Sequence, residues 1–151
     1  MPKRLSLPDY LPYQLSVASS HVSTLITRAY SDRFGLSVWE WRVVAVLGGS
    51  EPMTGQALVE ATAMDKVTVS RATRSLIDKA HVSRAKHNTD GRSSLVRLTE
   101  AGRAMFEDIA PAAIELEQAL LDGFSDEDIA RLKSVLADLD KRALELVSPK
   151  A

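Results

Sequence analysis

The 151-residue sequence predicts a mostly α-helical domain with one small β-hairpin, and three observations support this fold class. Along most of the chain, apolar residues recur at steps of three and four, which is the spacing of one face of a helix. Residues suited to capping helices stand ahead of several of these stretches. Residues 82–87 and 93–98 instead alternate polar with apolar side chains, and an Asp-Gly turn signal lies between them.

The first helix is predicted to follow a Pro-containing segment and to end at Gly35, after about five turns. Its apolar stripe comprises Leu15, Ala18, Val22, Leu25 and Ala29. The second helix is predicted to begin with Ser37 and Glu40, which have the spacing of a capping box, and to stop at Gly48. Because it is apolar nearly all round, we expect it to lie in the centre of the fold.

Two further helices are predicted in close succession. Thr54 is expected to cap a short helix over 55–61, and Asp65 to cap the next helix over 66–79. A helix, a short turn and a second helix have the spacing of a helix-turn-helix. The hairpin that follows would be a wing, so residues 37–98 are predicted to form a winged helix-turn-helix lobe.

The remaining segment is predicted to be helical. Thr99 is expected to cap a long helix with a bend at Pro111, and Ser125 to cap the last helix. The last helix would turn four apolar residues inward: Ile129, Leu132, Leu136 and Leu139. Segments 10–34 and 100–147 carry more apolar surface than a small lobe needs for its own core, which predicts dimerisation helices within a single 1–151 domain.

Charge is distributed unevenly along the chain. Residues 65–97 hold eight Lys and Arg against three Asp and Glu, whereas residues 98–151 hold six against twelve. The net charge of −1 therefore conceals a basic middle segment. Binding to a phosphate backbone requires local positive charge and not a high overall pI, so this segment is suited to nucleic acid.

A helical wheel of residues 66–79 separates an apolar face from a polar one. Its core-facing residues would be Val69, Ala72 and Leu76, and its outward residues Val67, Ser70, Arg71, Arg74 and Asp78. Arg can donate two hydrogen bonds to the guanine edge, Ser and Thr serve bases or phosphates, and Val can meet a thymine methyl. Alone, this face is as typical of solvated surface as of DNA recognition; beside a basic hairpin, DNA recognition is the favoured interpretation.

The hairpin tip contains Asp90, Gly91 and Arg92. Asp90 is close enough in sequence to pair with Arg92 and orient its guanidinium, which would suit a narrow and strongly negative minor groove. On its own, an Asp-Gly turn with an incidental Arg is the commoner case. Arg84 and Lys86 add positive charge to the first strand, as expected for phosphate contacts.

Two segments carry a resemblance to a known family. Residues 64–71 read Met-Asp-Lys-Val-Thr-Val-Ser-Arg, and residues 89–102 read Thr-Asp-Gly-Arg-Ser-Ser-Leu-Val-Arg-Leu-Thr-Glu-Ala-Gly. Together with the order of the elements, they resemble the MarR family of bacterial winged-helix regulators over nearly the whole chain. Two features differ from the usual family pattern: Ala80-His81 replaces Gly-Leu after the recognition helix, and Gly91 replaces a frequent second basic residue.

The resemblance implies a homodimer that binds a pseudo-palindromic operator in double-stranded DNA, usually as a repressor that a small ligand releases. In the family, positions matching Thr68, Ser70 and Arg71 contact DNA, and positions matching Asp90 and Arg92 serve the minor groove. The residues expected to contact DNA are Lys66, Val67, Thr68, Ser70, Arg71, Arg74, Arg84, Lys86, Asp90 and Arg92.

Family ligands bind where the DNA-binding lobe meets the dimerisation helices. The candidate effector-binding residues are His21, Tyr30, Trp39, Trp41 and Arg42. Two Trp beside an Arg, in a chain with 5% aromatic residues, would suit an aromatic acid or its thioester. Large aromatic residues in an apolar helix belong to the core more often than to a ligand site, so packing is the favoured interpretation for each.

Composition disfavours other classes of function. The chain has no Cys, and its three His are scattered, so we expect no disulfide, no metal site, no Cys-based redox sensing and no cofactor. No nucleophile elbow, phosphate loop or dinucleotide turn indicates an enzyme, and a hydrolase is a distant alternative. No apolar run is long enough to span a bilayer, so we expect a cytoplasmic protein. The main alternative is an interaction module that keeps the fold and binds a protein partner.

Overall fold

The computed structural model describes residues 4–86 and 94–148, and in these ranges the chain forms seven α-helices and three β-strands. The mostly helical fold class with a small β-hairpin is confirmed. The helices are α1 (Leu11–Thr27), α2 (Ser31–Phe34), α3 (Val38–Gly49), α4 (Gly55–Thr62), α5 (Lys66–Asp78), α6 (Glu100–Leu121) and α7 (Asp126–Val147). The strands are β1 (Met53–Thr54), β2 (Val82–Lys86) and β3 (Ser94–Leu98).

The three strands form one antiparallel sheet in the order β1, β3, β2. β2 and β3 pair along their whole length, with Arg84 opposite Val96, which confirms the predicted hairpin strands. The turn that joins them lies outside the described residues. The sequence does not predict β1, because two residues are too few to show alternation. Met53 pairs with Val96, so β1 attaches the start of α4 to the sheet.

Side-chain caps begin the helices where the sequence predicts them. The Ser37 hydroxyl accepts a hydrogen bond from the Glu40 amide, and the Glu40 carboxylate accepts one from the Ser37 amide, which completes the capping box of α3. Thr54, Asp65 and Ser125 each accept a hydrogen bond from a first-turn amide, in α4, α5 and α7 respectively. Each cap satisfies an N–H group that the helix itself leaves unpaired.

The central helix of the hydrophobic core is α3, as its nearly continuous apolar sequence predicts. Val43, Val44 and Leu47 are fully buried, and α4 and α5 pack against α3 with Leu58 and Leu76 buried. Burying an aliphatic side chain of this size contributes about 1.5–3 kcal/mol. This packing covers one face of α5 and leaves its opposite face to solvent.

The prediction of a single first helix that ends at Gly35 is wrong. α1 ends at Thr27, and α2 is a separate single turn that ends at Phe34, with Gly35 as its C-cap at a φ of +63°. Between the two helices Tyr30 leaves helical geometry with φ of −134°, becomes buried, and places its hydroxyl 3.2 Å from Oγ1 of Thr27. Burial of this aromatic ring outweighs the helical periodicity, and the periodicity alone does not reveal that tertiary contact.

The chain divides into two units, Met1–Leu116 and Glu117–Ala151, and α6 continues through Pro111 and through the boundary between them. The prediction that α7 turns its apolar stripe inward is wrong for the single chain, because no residue of α7, all of it described, is buried. Helical periodicity marks an apolar face but not the molecule that covers it. The exposed apolar residues of α7 include Leu132, Val135, Leu136, Leu139 and Leu144.

Candidate nucleic-acid interface

The turn between α4 and α5 sets the start of the second helix. Thr62 and Met64 are buried, and Ala63 between them has a left-handed φ of +55°. Asp65 then caps α5, because its carboxylate accepts from the Thr68 amide at 2.7 Å and from the Thr68 hydroxyl at 2.8 Å. The hydrogen bond from the Thr68 amide lowers the pKa of Asp65 most, and the hydrogen bond from the Thr68 hydroxyl lowers it further. The ionised carboxylate therefore lies at the positive end of the helix dipole.

The outward face of α5 is the one that the helical wheel predicts. Its exposed residues include Val67, Ser70, Arg71, Arg74 and Asp78, and its buried residues are Val69, Ala72, Thr73 and Leu76. A shallow cavity of about 260 Å³ on this face is lined by Lys66, Val67, Ser70, Arg71 and Arg74. Two guanidinium groups, a hydroxyl and an apolar side chain thus share one solvent-facing surface, which is an arrangement suited to base edges in a major groove.

A second cavity, of about 440 Å³, lies where α5 meets the start of α4 and the strands β2 and β3. Lys66 and Ser70 line both cavities, so the second one is continuous with the outward face. Arg84 from β2 and Gly55 at the start of α4 also line it. Thr73, which the sequence does not predict as part of the site, also lines this cavity and is 2% exposed. Cationic side chains beside a helix N-terminus favour an anionic group such as a backbone phosphate.

The remaining predicted DNA contacts are distributed as follows. Lys86 is exposed on β2. Thr68 is half-buried, and its hydroxyl donates to the Asp65 carboxylate. Asp90 and Arg92 lie outside the described residues, so the pairing at the wing tip stays a prediction.

A buried carboxylate ties α5 to α3. Glu40 is 7% exposed, and its Oε2 accepts hydrogen bonds from Oγ of Ser75 at 3.1 Å and from Nζ of Lys79 at 2.8 Å. Burial raises the pKa of Glu40, but hydrogen bonds from Lys79, the Ser37 amide and Ser75 outweigh burial and hold the pKa below its usual value. The sequence predicts Glu40 only as part of the capping box of α3. The signal for its second role was a lone acidic residue within a helix that is apolar nearly all round.

A groove of about 650 Å³ runs between α1 and the start of α3. Trp39 and Arg42 line it from α3, and the guanidinium carbon of Arg42 lies 5.6 Å from the centroid of the Trp39 ring. Trp39 is 47% exposed, so its indole is accessible to a ligand. The wall formed by α1 and α2 is rich in hydroxyl groups, those of Ser16, Ser19, Ser20, Ser23, Thr24, Thr27 and Ser31.

The other three candidate effector residues lie elsewhere. Tyr30 is buried and stacks on Trp41 with 5.5 Å between ring centroids, and Trp41 stacks on Phe106 at 6.3 Å. These rings belong to the core. His21 is exposed on α1 and is absent from the described lining of the groove. Of the five candidates, the structure therefore brings Trp39 and Arg42 together at the groove.

A protein-family model described as MarR family matches residues 34–93. The chain is also 32% identical over 95 residues to the HTH-type transcriptional regulator YwoH of Bacillus subtilis (strain 168), and this match covers 63% of the chain and 69% of YwoH. The chain belongs to the MarR family. The matched segment includes α3, α4, α5 and β2, so membership of the MarR family rests on the elements that form the candidate interface.

Two solved structures are similar to this MarR-family chain over almost their whole length. A MarR/EmrR family transcriptional regulator from Acinetobacter sp. ADP1 is 26% identical with a TM-score of 0.84, and the match covers 93% of this chain and 99% of that one. BpsR of Bordetella bronchiseptica, whose DNA binding is regulated by 6-hydroxynicotinic acid, is 21% identical with a TM-score of 0.84, and coverage is 91% and 98%. The fold is therefore that of MarR-family transcriptional regulators.

The exit from α5 shows how this chain accommodates its departure from the MarR-family pattern. Ala80, where Gly is usual, still takes the left-handed conformation with φ of +62°. The Ala80 amide donates to the carbonyl of Ile77, and the His81 amide donates to the carbonyl of Leu76, each at 2.9 Å. These two bonds complete a Schellman motif, so the turn keeps its geometry without glycine.

Neither a metal site nor a membrane-spanning helix is found within the described residues. No three His, Asp or Glu side chains within 4–86 and 94–148 are grouped so that they could hold a metal ion. None of the helices in the same ranges combines the length and the apolar character needed to cross a membrane.

Proposed function

We propose that this protein is a transcriptional repressor that binds a pseudo-palindromic operator as a homodimer and is released from it by a small organic effector. The observation that carries the proposal is the outward face of α5, where Ser70, Arg71 and Arg74 are exposed together beside a basic strand. In a winged helix-turn-helix, this helix enters the major groove. Membership of the MarR family supports the same assignment.

We assign a role to each candidate residue of α5 from its type and its place along the helix. Arg71 is exposed on the outward face and is assigned to a guanine edge, and Val67 at the helix start is assigned to a thymine methyl. Ser70 and Thr68 are assigned to bases or phosphates. Arg74, one turn farther along, is assigned to a phosphate.

Phosphate contacts are also assigned to the sheet side of the interface. Lys66 and Arg84 line the cavity of about 440 Å³ from two sides, and Lys86 extends the positive charge along β2. The assignment of Arg92 to the minor groove, with Asp90 orienting it, rests on the sequence alone.

Dimerisation is assigned to the helices on either side of the winged-helix lobe. The lobe would comprise residues 37–98, and the dimer would form through 10–34 and 100–147. Exposed apolar residues on α1 support this, namely Leu11, Tyr13, Leu15 and Val22, as do those on α7. Sedimentation without DNA should give a dimer at micromolar concentration, and a monomer would contradict the assignment.

The effector is assigned to the groove between α1 and α3. Arg42 supplies a cation for a carboxylate, the exposed Trp39 ring supplies a stacking surface, and the hydroxyl groups of α1 supply hydrogen bonds. BpsR has the same fold, and its DNA binding is regulated by 6-hydroxynicotinic acid, which is an aromatic acid. We therefore assign the effector to the class of aromatic carboxylates or their thioesters.

The same proposal places the protein in the cytoplasm and assigns it no catalytic activity. A repressor must reach chromosomal DNA, and the chain's relative YwoH is named an HTH-type transcriptional regulator.

A gel-shift titration with the DNA upstream of the protein's own gene tests the DNA-binding half. We expect a retarded complex that weakens as salt rises, because Lys and Arg release counterions from the phosphates they bind. Arg92→Ala should weaken this complex and leave the melting temperature unchanged, whereas Arg33→Ala, a surface control on α2, should leave affinity unchanged. A protein that retards no duplex would contradict the proposal and favour a protein-binding module.

Fluorescence titration tests the effector half. A panel of aromatic acids that includes salicylate should contain members that change Trp emission and dissociate the operator complex. Arg42→Ala should weaken the binding of such a member, and His21→Ala, which alters a residue away from the groove, should not. A broad panel that changes neither signal would contradict the groove assignment while leaving the DNA-binding half intact.

A further inference from the structure

The first turn of α3, residues 37–40, has one side on the effector groove and the other on the recognition helix. Ser37 and Trp39 line the groove of about 650 Å³. The same two residues line a separate cavity of about 230 Å³, which is completed by residues of α5 that include Thr68 and Arg71. One turn of helix therefore separates the proposed ligand from the residue assigned to a guanine edge.

Trp39 is placed so that an occupant of the groove would contact it directly. The residue is 47% exposed, and the Arg42 guanidinium lies over one face of its ring. A carboxylate that pairs with Arg42, or an aromatic ring that stacks on Trp39, would compete with this cation–π contact. Occupation of the groove would thus change the position of a side chain that also borders α5.

Glu40 makes the first turn of α3 a fixed attachment to α5. Its Oε1 accepts from the Ser37 amide at 3.1 Å, and its Oε2 accepts from Ser75 and Lys79. Lys79 also donates to the carbonyl of Gly35 at 3.2 Å, just before α3 begins. Three hydrogen bonds, one from Ser75 and two from Lys79, therefore join this turn and Gly35 to the end of α5, and a displacement of the turn must displace α5 or break them.

We propose that residues 37–40 couple the groove to the recognition helix, with Trp39 as the residue that senses the occupant and Glu40 as the positioning residue that transmits its displacement to α5. This inference rests on the proposed function, because it requires α5 to bind DNA and the groove to bind an effector. Coupling between two sites is reciprocal, so DNA bound on α5 must in turn change the environment of Trp39. The inference can therefore be tested before the effector is identified.

The test measures acrylamide quenching of Trp39 in the Trp41→Phe background, where Trp39 is the sole tryptophan, with and without a random-sequence DNA duplex at low salt. Low salt is used because phosphate contacts then give strong binding without a known operator. The duplex should change the quenching constant of Trp39. Glu40→Gln in this background should still bind the duplex, but the change in quenching should be lost.

Glu51→Gln is the matched control. Glu51 also accepts a backbone hydrogen bond, from the Leu98 amide at 2.7 Å, and pairs with a cation, Arg103, but it does so away from the first turn of α3. This control should retain the full change in quenching. Ser75→Ala is the second variant, for use if Glu40→Gln does not fold. It removes one hydrogen bond to Glu40 and leaves the carboxylate and Lys79 in place, so its change in Trp39 quenching should be smaller than that of the Trp41→Phe protein.

The outcomes separate the two proposals. If the duplex binds and Trp39 quenching does not change, the coupling proposal is overturned and DNA binding stands. The same conclusion follows if the Glu40→Gln and Ser75→Ala proteins show as large a change in quenching as the protein with the Trp41→Phe substitution alone. An equal change in those variants would mean that DNA merely covers Trp39. If no duplex binds at low salt, the proposed function fails, and the coupling proposal fails with it.

Discussion

Nζ of Lys79 lies 2.8 Å from Oε2 of Glu40, so an ion pair joins the residue that follows α5 to the first turn of α3. The Glu40 side chain is 9% exposed and the Lys79 side chain 37%. Because the carboxylate is buried, its ionised form is stabilised by the protein groups that donate hydrogen bonds to it in place of water. Those groups are Lys79, the Ser37 amide and Ser75, and together they lower the pKa of Glu40 despite its burial.

Glu40 should make the free energy of unfolding depend on pH in the acidic range. Its pKa is lower in the folded than in the unfolded chain, so its contribution is fully present above the unfolded pKa and is lost as pH falls through the folded pKa. Glu40→Gln should lower stability by about 1–3 kcal/mol near neutral pH, since it removes the charge that strengthens the hydrogen bond from Lys79 and places an amide N–H group in a buried site lined by donors. Urea unfolding at neutral and acidic pH measures both effects.

The difference between wild type and Glu40→Gln should shrink as the pH falls. Glu51 has a pKa lowered in the same direction, because bonds from the Leu98 amide and Arg103 outweigh its burial, so Glu51→Gln supplies a second acidic site for comparison. A difference between wild type and Glu40→Gln that stays constant over the acidic range would contradict the role given to ionised Glu40.

Ala80→Gly should stabilise the protein. Ala80 holds a left-handed φ of +62°, which costs a residue with a Cβ about 1–2 kcal/mol. Glycine relieves that strain, but it raises the entropy of the unfolded chain, which lowers stability by about 0.4–1 kcal/mol. We therefore expect the free energy of unfolding to rise by about 0.5–1 kcal/mol. Ala104→Gly, at an exposed position inside α6, should instead lose about 1 kcal/mol. Equal signs for the two substitutions in thermal unfolding would argue against the strain at Ala80.

Gly102→Ala should destabilise the protein, because an added Cβ would collide with the carbonyl oxygen of His81. That oxygen already accepts from the Thr99 amide at 3.0 Å and belongs to backbone, so it cannot rotate away. We expect a loss of about 1–3 kcal/mol, the usual range for overpacking. Gly49→Ala, where a Cβ would meet nothing within 4 Å, should be neutral or stabilising by up to about 1 kcal/mol. If the two variants unfolded at the same denaturant concentration, the close contact between Gly102 and the His81 carbonyl oxygen would be refuted.

The features that the sequence predicted correctly depend on residues close together in the chain. The caps at Ser37, Thr54 and Asp65 bond to amides three residues away, and the exposed face of α5 follows from helical spacing alone. The break of the first helix at Tyr30 depends instead on burial against α3, which no local pattern encodes. The strand at Met53 likewise forms because β3, more than forty residues later, pairs with it.

The residues of the candidate site also differ in whether the sequence alone could identify them. Arg71 and Arg74 could be identified from the sequence because exposure on a helix follows from its period. The second role of Glu40 could not, because its partners Ser75 and Lys79 are 35 and 39 residues away. Trp39 and Trp41 look alike in sequence, yet only three-dimensional packing distinguishes the exposed ring at the groove from the ring stacked on Tyr30.

Arg71→Ala and Arg74→Ala should separate base recognition from phosphate binding. If Arg71 contacts a guanine edge, its loss should weaken operator binding by about 1–3 kcal/mol and weaken binding to random DNA much less, so that specificity falls. If Arg74 contacts a phosphate, its loss should weaken binding to both duplexes by a similar factor and reduce the salt slope by about one. Both side chains are exposed on α5, so neither substitution should change the melting temperature. Titrations of each variant against operator and random duplexes at several salt concentrations make the measurement, and an equal loss on both duplexes for Arg71→Ala would remove its assignment to a base.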